Sequence, residues 1–577
     1  MAKRYRPVVR DQAFLFPPDM RDWLPRDHQV WLVIRAVERM DTSAFHARRR
    51  LGGAGTAGYD PGMLATLLVW AYLQGVASSR RMEALCGQDV AFRIICGGNL
   101  PDHSTIARFR GDFAGPVEEL FTEVLILCAR LGMGKLGTIA LDGSKVRANA
   151  SKAANRTEET LAKLAAERVA AHGQTDAAED ALFGAARGDE VPAQVADPFT
   201  RDERIDAALA SARAERVRRE RERERQERER AAKAEEYLAA ARAGTPRAGQ
   251  PPAGTGVALA QAKAERERAA QQARCEQWER DFAAGRTAGR RGRPAPPEAY
   301  CRVRAAEAKL AAAQMREAQA ARKAAAADPA GTVIVRNITD PDSRLMTTRN
   351  GTQQCYNGQQ VTSEDNLVIA TELTDDPTDM AWFEPMMAQA GDAAALIRAH
   401  QPPAPAASAA GGRDTAPAPA GPASGIGQAL ADAGYLSRHN LTCDGPDRLI
   451  ATGKRRDLEQ AARDTAARDG GAPDSQDVIE AMAARLATED GITAYRKRGH
   501  IAETPHGNIK YNLGLSQLSL RGKRKASAEW KFACTIHNLH TAICSGHLTH
   551  AALDKLDAQH QAAAPPAAPD QDAGQAA

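Results

Sequence analysis

The sequence predicts an α/β domain, preceded by an all-α segment and interrupted by a long charged helical insertion. Three observations carry this. Residues 1–130 hold repeated helix-start signals, and the runs at 136–142, 355–361 and 367–374 have the apolar, β-favouring pattern of strands. Between the first run and the other two, residues 155–330 are rich in Ala, Arg and Glu. At roughly 100–200 residues per domain, a chain of 577 residues has room for two to four domains.

In the first segment, Asp60-Pro61 precedes the apolar stretch Met63–Leu73 and predicts a buried helix with proline in its first turn. Ser78-Ser79 opens another helix. Pro101 to Arg110 reads as a turn, a cap and a third helix, with Asp102, Ser104 or Thr105 as the capping oxygen. Next, Leu136-Gly-Thr-Ile-Ala-Leu-Asp142 predicts a buried strand whose carboxylate emerges at the sheet end. Residues 131–154 are then the first part of the α/β domain.

Residues 155–330 differ in kind. Between 201 and 240 there are 12 basic and 11 acidic residues, so the alternating charges describe solvated helix supported by i,i+4 pairs rather than a phosphate-binding stripe. Gly/Pro patches at 244–254 and 284–297 divide the insertion into two or three helical pieces. The α/β pattern returns over 331–400. Cys355–Val361 and Leu367–Thr374 form a hairpin around Ser363-Glu-Asp-Asn366, and a helix follows from Met380 to His400. Residues 401–424 are a Pro/Ala-rich linker. The domain resumes over 425–550, with a strand near Arg448–Lys454 and helices from 475, and 551–577 reads as a disordered tail.

Composition narrows the function. Lys plus Arg is 77 against 73 Asp plus Glu, so any basic surface must be local. One exists: residues 491–530 hold 8 Lys/Arg against 2 Asp/Glu. Nine cysteines without a CxxC pair argue for reduced thiols and against a zinc module. No apolar run approaches a membrane span of ~18–20 residues, and the opening Met1-Ala-Lys-Arg-Tyr-Arg lacks a signal peptide's apolar stretch. The expectation is a cytoplasmic protein without membrane contact. No phosphate-cradling glycine motif suggests ATP use. Asp376 and Asp379 read as helix caps, Asp444 and Asp447 as turn residues, and His537 and Asn538 as packing and hydrogen-bonding groups.

Three carboxylates stand out by position: Asp142 at a strand end, Asp432 in Ala-Asp-Ala-Gly-Tyr, and Glu503 in the basic stretch Tyr495–Lys510. With Pro101–Arg110, Leu141-Asp-Gly-Ser-Lys145, Asp340-Pro-Asp-Ser-Arg344 and Tyr356-Asn-Gly-Gln359, they occur in the order seen in the DDE transposases of bacterial insertion sequences. The chain resembles the branch of that family with an InsH-like helical N-terminal domain. The resemblance implies a ribonuclease-H-like catalytic domain in which Asp142, Asp432 and Glu503 are the catalytic triad and the ligands of two Mg²⁺ (or Mn²⁺) ions. Hard divalent cations take oxygen ligands, and two of them can clamp the attacking and leaving oxygens of an in-line phosphoryl substitution.

Tyr495, Arg498, Glu503 and Lys510 resemble the family's Y-R-E-K signature, with four residues rather than the commoner three between Arg498 and Glu503. The resemblance gives Tyr495, Arg498 and Lys510 to DNA binding. In the segment 1–130, which would hold the element's inverted repeats, Arg80, Arg81, Arg108 and Arg110 are the phosphate contacts. It further implies double-stranded DNA as partner (element ends and target), a homodimer in the synaptic complex, and a nucleoid-associated location in a bacterial cytoplasm. Pro505 and Gly507 predict that the helix breaks after Glu503 and restarts with Thr504 as cap, and His506 is expected at the surface. A catalytically inactive, transposase-derived DNA-binding protein is the alternative function.

Overall fold

The computed structural model describes residues 19–47, 58–112, 115–167, 201–245, 250–286, 292–326, 333–402, 425–466 and 477–563. The linker from 403 on, the tail from 564 on, and parts of the insertion lie outside the described residues. The chain forms two compact units, one made of 1–155 with 337–577 and the other of 156–336.

The first unit begins with helices α1 (Gln29–Glu38), α2 (Ser43–His46), α3 (Pro61–Leu73), α4 (Ser79–Gln88), α5 (Val90–Ile95), α6 (His103–Gly111) and α7 (Pro116–Arg130). Asp60 caps α3 by accepting from Met63 N at 2.8 Å, with Pro61 in the first turn. Asp102, rather than Ser104 or Thr105, caps α6. Apart from Met63, Gly62 and Leu73, every residue of α3 is buried, so no single partner can cover it. One continuous core therefore joins these helices to the sheet.

The sheet comprises β1 (Thr138–Arg147), β4 (Arg344–Thr348), β5 (Gly351–Ser363), β6 (Val368–Thr374), β7 (Gln428–Ala431) and β8 (Asp447–Ile450). A short ribbon pairs β2 (Asn155–Thr157) with β3 (Val335–Asn337). The sheet order is β4-β5-β1-β7-β8, with β6 also on β5. The strands β1, β7 and β8 are parallel; β5 is antiparallel to β1, β4 and β6. The β5–β6 turn uses Asn366 at φ 65°, a left-handed conformation that asparagine tolerates. Asp447, expected in a turn, instead opens β8 and pairs with Arg485.

Strand alternation sends Ile139 and Leu141 into the core shared with the N-terminal helices. Ala140 enters a second core with Leu430, Leu449 and the helices after β8. The remaining helices of the first unit fall into two groups. One is α12 (Phe383–His400), α17 (Lys523–Cys544) and α18 (His550–Ala563). The other is α13 (Arg438–Thr442), α14 (Arg455–Ala466), α15 (Val478–Leu486) and α16 (Glu489–Gly507). The helix α18 occupies part of the expected tail, because Leu553 is buried and Arg35 of α1 reaches Asp554 at 2.6 Å. That partner is far away in sequence and invisible to a local reading.

The second unit is helical: α8 (described over 158–167), α9 (Arg201–Ala243), α10 (Gly256–Ala283) and α11 (Cys301–Ala326). The charges of α9 pair along the helix, as in Arg219–Glu215 at 2.8 Å. The helix α11 runs back along α10, Arg274 meeting Tyr300 at 3.3 Å. In the first unit, Asn337 Nδ2 donates to Ser151 O and Asn155 Oδ1, so the chain leaves and rejoins that unit at neighbouring points. No helix among the described residues is long and apolar enough to cross a membrane. All nine cysteines are free thiols.

Candidate active site beside the parallel strands

Parallel pairing of β1 with β7 places Leu141 opposite Ala431. The next residue after each is an aspartate, so Asp142 and Asp432 stand side by side where β7 ends. Asp142 does not end its strand as expected, because β1 runs on to Arg147 paired with β5. Asp432 opens the turn Ala433–Tyr435, its Oδ1 accepting from Gly434 N at 2.9 Å.

The helix α16 supplies a cation to both. Thr488 caps it by accepting from Gly491 N at 3.0 Å. At 100° per residue, positions 495, 498, 502 and 506 share one face, which meets the sheet. Arg498 Nη2 donates to Asp142 Oδ1 at 2.9 Å and lies 3.8 Å from Asp432 Oδ2. Burial opposes the Arg498 charge, but Asp142, Tyr495, Asp432 and Glu503 outweigh it and raise its pKa. Burial pushes Asp142 up to about 7 against the pull of Arg498, and the nearby Asp432 and Asp379 add to the rise.

The other members of the series fall differently. Tyr495 is buried in the core that α16 shares with the sheet. Glu503 is exposed. The cause is the four-residue spacing, which places Glu503 about 140° around the helix from Arg498 and gives the inward position to Ala502. Among the described residues, no three His, Cys, Asp or Glu side chains lie close enough to share a metal ion. Lys510 follows in the π-helical turn Asn508–Asn512, donating to Ser144 Oγ and, at 2.9 Å, to Lys145 O.

The helix does not break at Pro505; α16 runs unbroken to Gly507, and Thr504 Oγ1 bonds back to His500 O. This carries His506 inward rather than to the surface. It is buried, stacked on Trp530, with Nε2 3.9 Å from Asp142 Oδ2, and burial with Lys510 nearby pushes its pKa down to about 3.

On the other side of β1, Asp379 does not cap the helical turn it precedes. Its Oδ1 accepts from Asn357 Nδ2 at 2.6 Å and Gln359 Nε2 at 2.7 Å, with Lys145 Nζ at 3.6 Å. The sequence reading missed this carboxylate. Its one local signal was the pairing of Asn357 and Gln359 on alternate residues of a strand, both on one face.

Of the N-terminal arginines, Arg80, Arg81 and Arg108 are exposed. Arg110 is turned inward, donating to Ala77 O and Tyr72 Oη, because it ties α6 to the end of α3.

The donors near Arg498 fit a hard divalent cation. Asp142 and Asp432 stand together as carboxylate oxygens, the ligand type such a cation takes, with Arg498 supplying positive charge to both in its place. Asp142 and Asp432 could hold such an ion; Glu503 does not join them.

Two family models match the chain. A transposase domain (DUF772) covers residues 18–112, including the four N-terminal arginines, and a transposase DDE domain covers residues 465–543, including Arg498, Glu503 and Lys510. No curated protein and no solved structure matches it.

Proposed function

We propose that this chain, which carries a transposase domain (DUF772) and a transposase DDE domain, is a DDE transposase of insertion-sequence type that binds the inverted-repeat ends of an insertion sequence and cuts and joins DNA there. The observation that carries the reading is the meeting of Asp142, within β1, and Asp432, just past the parallel strand β7, with Arg498 across both. The order β6-β5-β1-β7-β8, antiparallel then parallel, supports a ribonuclease-H-like catalytic domain. Residues 1–130 are the DNA-binding segment, 155–330 the insertion, and 131–154, 331–400 and 425–550 the catalytic domain, with 401–424 its linker.

When bound, two Mg²⁺ or Mn²⁺ ions stabilise charge on the attacking and leaving oxygens of phosphoryl substitution. Asp142 and Asp432 would hold them; Glu503 is the third carboxylate by its place in the series Tyr495, Arg498, Glu503, Lys510, and would join them only by turning inward from its exposed position. Arg498 sets one positive charge against two carboxylates and keeps them adjacent. Lys510 fixes the end of β1 through Ser144 and Lys145. Arg80, Arg81 and Arg108 contact phosphates, which position DNA without reading sequence. Water cleaves at the element end, and the freed 3′-hydroxyl attacks target DNA. Synapsis of two ends takes a homodimer.

The test is cleavage of DNA carrying the element's ends, wild type beside Asp142→Ala, with Mg²⁺ or Mn²⁺. Nicking at the end junction, lost in the variant with binding retained, is the expected result. Tight end binding by a wild type that cleaves with neither metal would instead make the chain a catalytically inactive DNA-binding descendant of a transposase.

A further inference from the structure

We propose that Asp379 is a positioning residue of this site, holding the Asp432 loop and Lys145 in register with Asp142; the inference rests on the functional reading above. An aspartate just before a helical turn ordinarily spends its carboxylate on the turn's free N–H groups. Asp379 precedes Met380–Trp382 yet makes no such bond. Its Oδ1 turns instead to the amides of Asn357 and Gln359, which share one face of β5, and to the ammonium of Lys145.

The approach is close enough to dictate a neighbour. A Cβ on Gly143 would stand 2.3 Å from Asp379 Oδ1, so the residue after Asp142 must lack a side chain for this carboxylate to reach β1. From there the connection continues. Gln359 Oε1 accepts from the hydroxyl of Tyr435, a fully buried ring three residues after Asp432. The turn bearing Asp432 is thus tied through Tyr435 and Gln359 to Asp379. The second oxygen of Asp379 faces the same turn: a Cβ on Gly434 would lie 3.4 Å from Asp379 Oδ2 and 3.0 Å from Asp432 Oδ1. Asp379 therefore fixes where Asp432 stands and holds the Lys145 charge at 3.6 Å from its own carboxylate, without itself being among the groups that Arg498 touches.

Residues that orient ligand carboxylates typically affect metal affinity by ~10–100-fold when changed. Asp379→Asn keeps the shape and removes the charge. In the full-length protein, Mn²⁺ binding measured by electron paramagnetic resonance should weaken by ~10–100-fold, while Asp392→Asn, the same charge change at an exposed site on α12, leaves it unchanged. Wild-type affinity in Asp379→Asn overturns the proposal. If that variant fails to fold, Tyr435→Phe decides: loss of the hydroxyl link should weaken Mn²⁺ binding several-fold, and no change overturns the proposal. A wild type that binds no Mn²⁺ sinks the functional reading and this inference with it, a result distinct from either variant's.

Discussion

Arg498 joins two carboxylates that the chain brings together from distant strands, reaching Asp142 at 2.9 Å and lying 3.8 Å from Asp432. Arg498 and Asp142 are mostly buried, so the arrangement stands or falls on mutual compensation. Removing one partner of a buried pair costs about 3–5 kcal/mol, because the other charge is left unmatched. Arg498→Ala should therefore lower the metal-free unfolding free energy by about that amount in urea denaturation. Millimolar Mg²⁺ should recover part of the loss, since a divalent cation compensates the same carboxylates. Equal losses with and without Mg²⁺ would mean that the carboxylates do not bind it.

A second close fit lies behind the site. A Cβ on Gly358 would stand 2.5 Å from the ring of Trp530, so β5 and α17 are in contact through a position only glycine can fill. Gly358→Ala should cost about 1–3 kcal/mol by overpacking. Trp530→Leu should cost stability alone by opening a cavity, yet relieve Gly358→Ala when combined with it. The check is a double-mutant cycle by thermal unfolding; additive effects would show that the contact is not what restricts residue 358.

The order of these elements was legible because each depends on neighbours in sequence. Asp60-Pro61 and Asp102 mark helix starts by their own side chains, and Ser363–Asn366 marks a turn by its own backbone. The pairing of Asp142 with Asp432 followed only from family resemblance, since nothing local links residues on strands that far apart. What stayed hidden depends on which face a residue takes once packed. Pro505 sits inside α16 because tertiary contacts on both sides hold the helix through it, and that continuity turns His506 inward and Glu503 outward. Asp379 read as a cap because its true partners, Asn357 and Gln359, come from another strand.

Acid should weaken the fold through His537. Its Nδ1 accepts from Asn508 Nδ2 and its Nε2 donates to Asn366 O, both at 2.9 Å, an arrangement that needs the neutral ring. Burial pushes its pKa down to about 4 from the ordinary 6.5. Between those values the unfolded chain binds the proton and the folded chain does not, so stability is full above pH 6.5 and falls as pH drops toward 4. The loss is on the order of 3 kcal/mol, and the lowered pKa of His506 acts in the same direction. His537→Gln should be less stable at pH 7 but show a shallower decline from pH 6.5 to 4 in denaturant titrations. An unchanged slope would place the acid sensitivity elsewhere.

The N-terminal arginines divide by where the fold points them. Arg80, Arg81 and Arg108 are exposed, whereas Arg110 donates to Ala77 O and Tyr72 Oη. A phosphate contact releases counterions on binding, so losing one should weaken affinity similarly across sequences and reduce the slope of log K against log salt by about 1. Arg80→Ala and Arg108→Ala should each do this in fluorescence anisotropy with duplex DNA, at an unchanged melting temperature. Arg110→Ala should do the reverse. It removes donors from a buried carbonyl and hydroxyl, costing about 1–3 kcal/mol of stability, and leaves the salt slope alone. A reduced slope in Arg110→Ala, without loss of stability, would mean that this side chain leaves its contacts at the end of α3 to meet DNA.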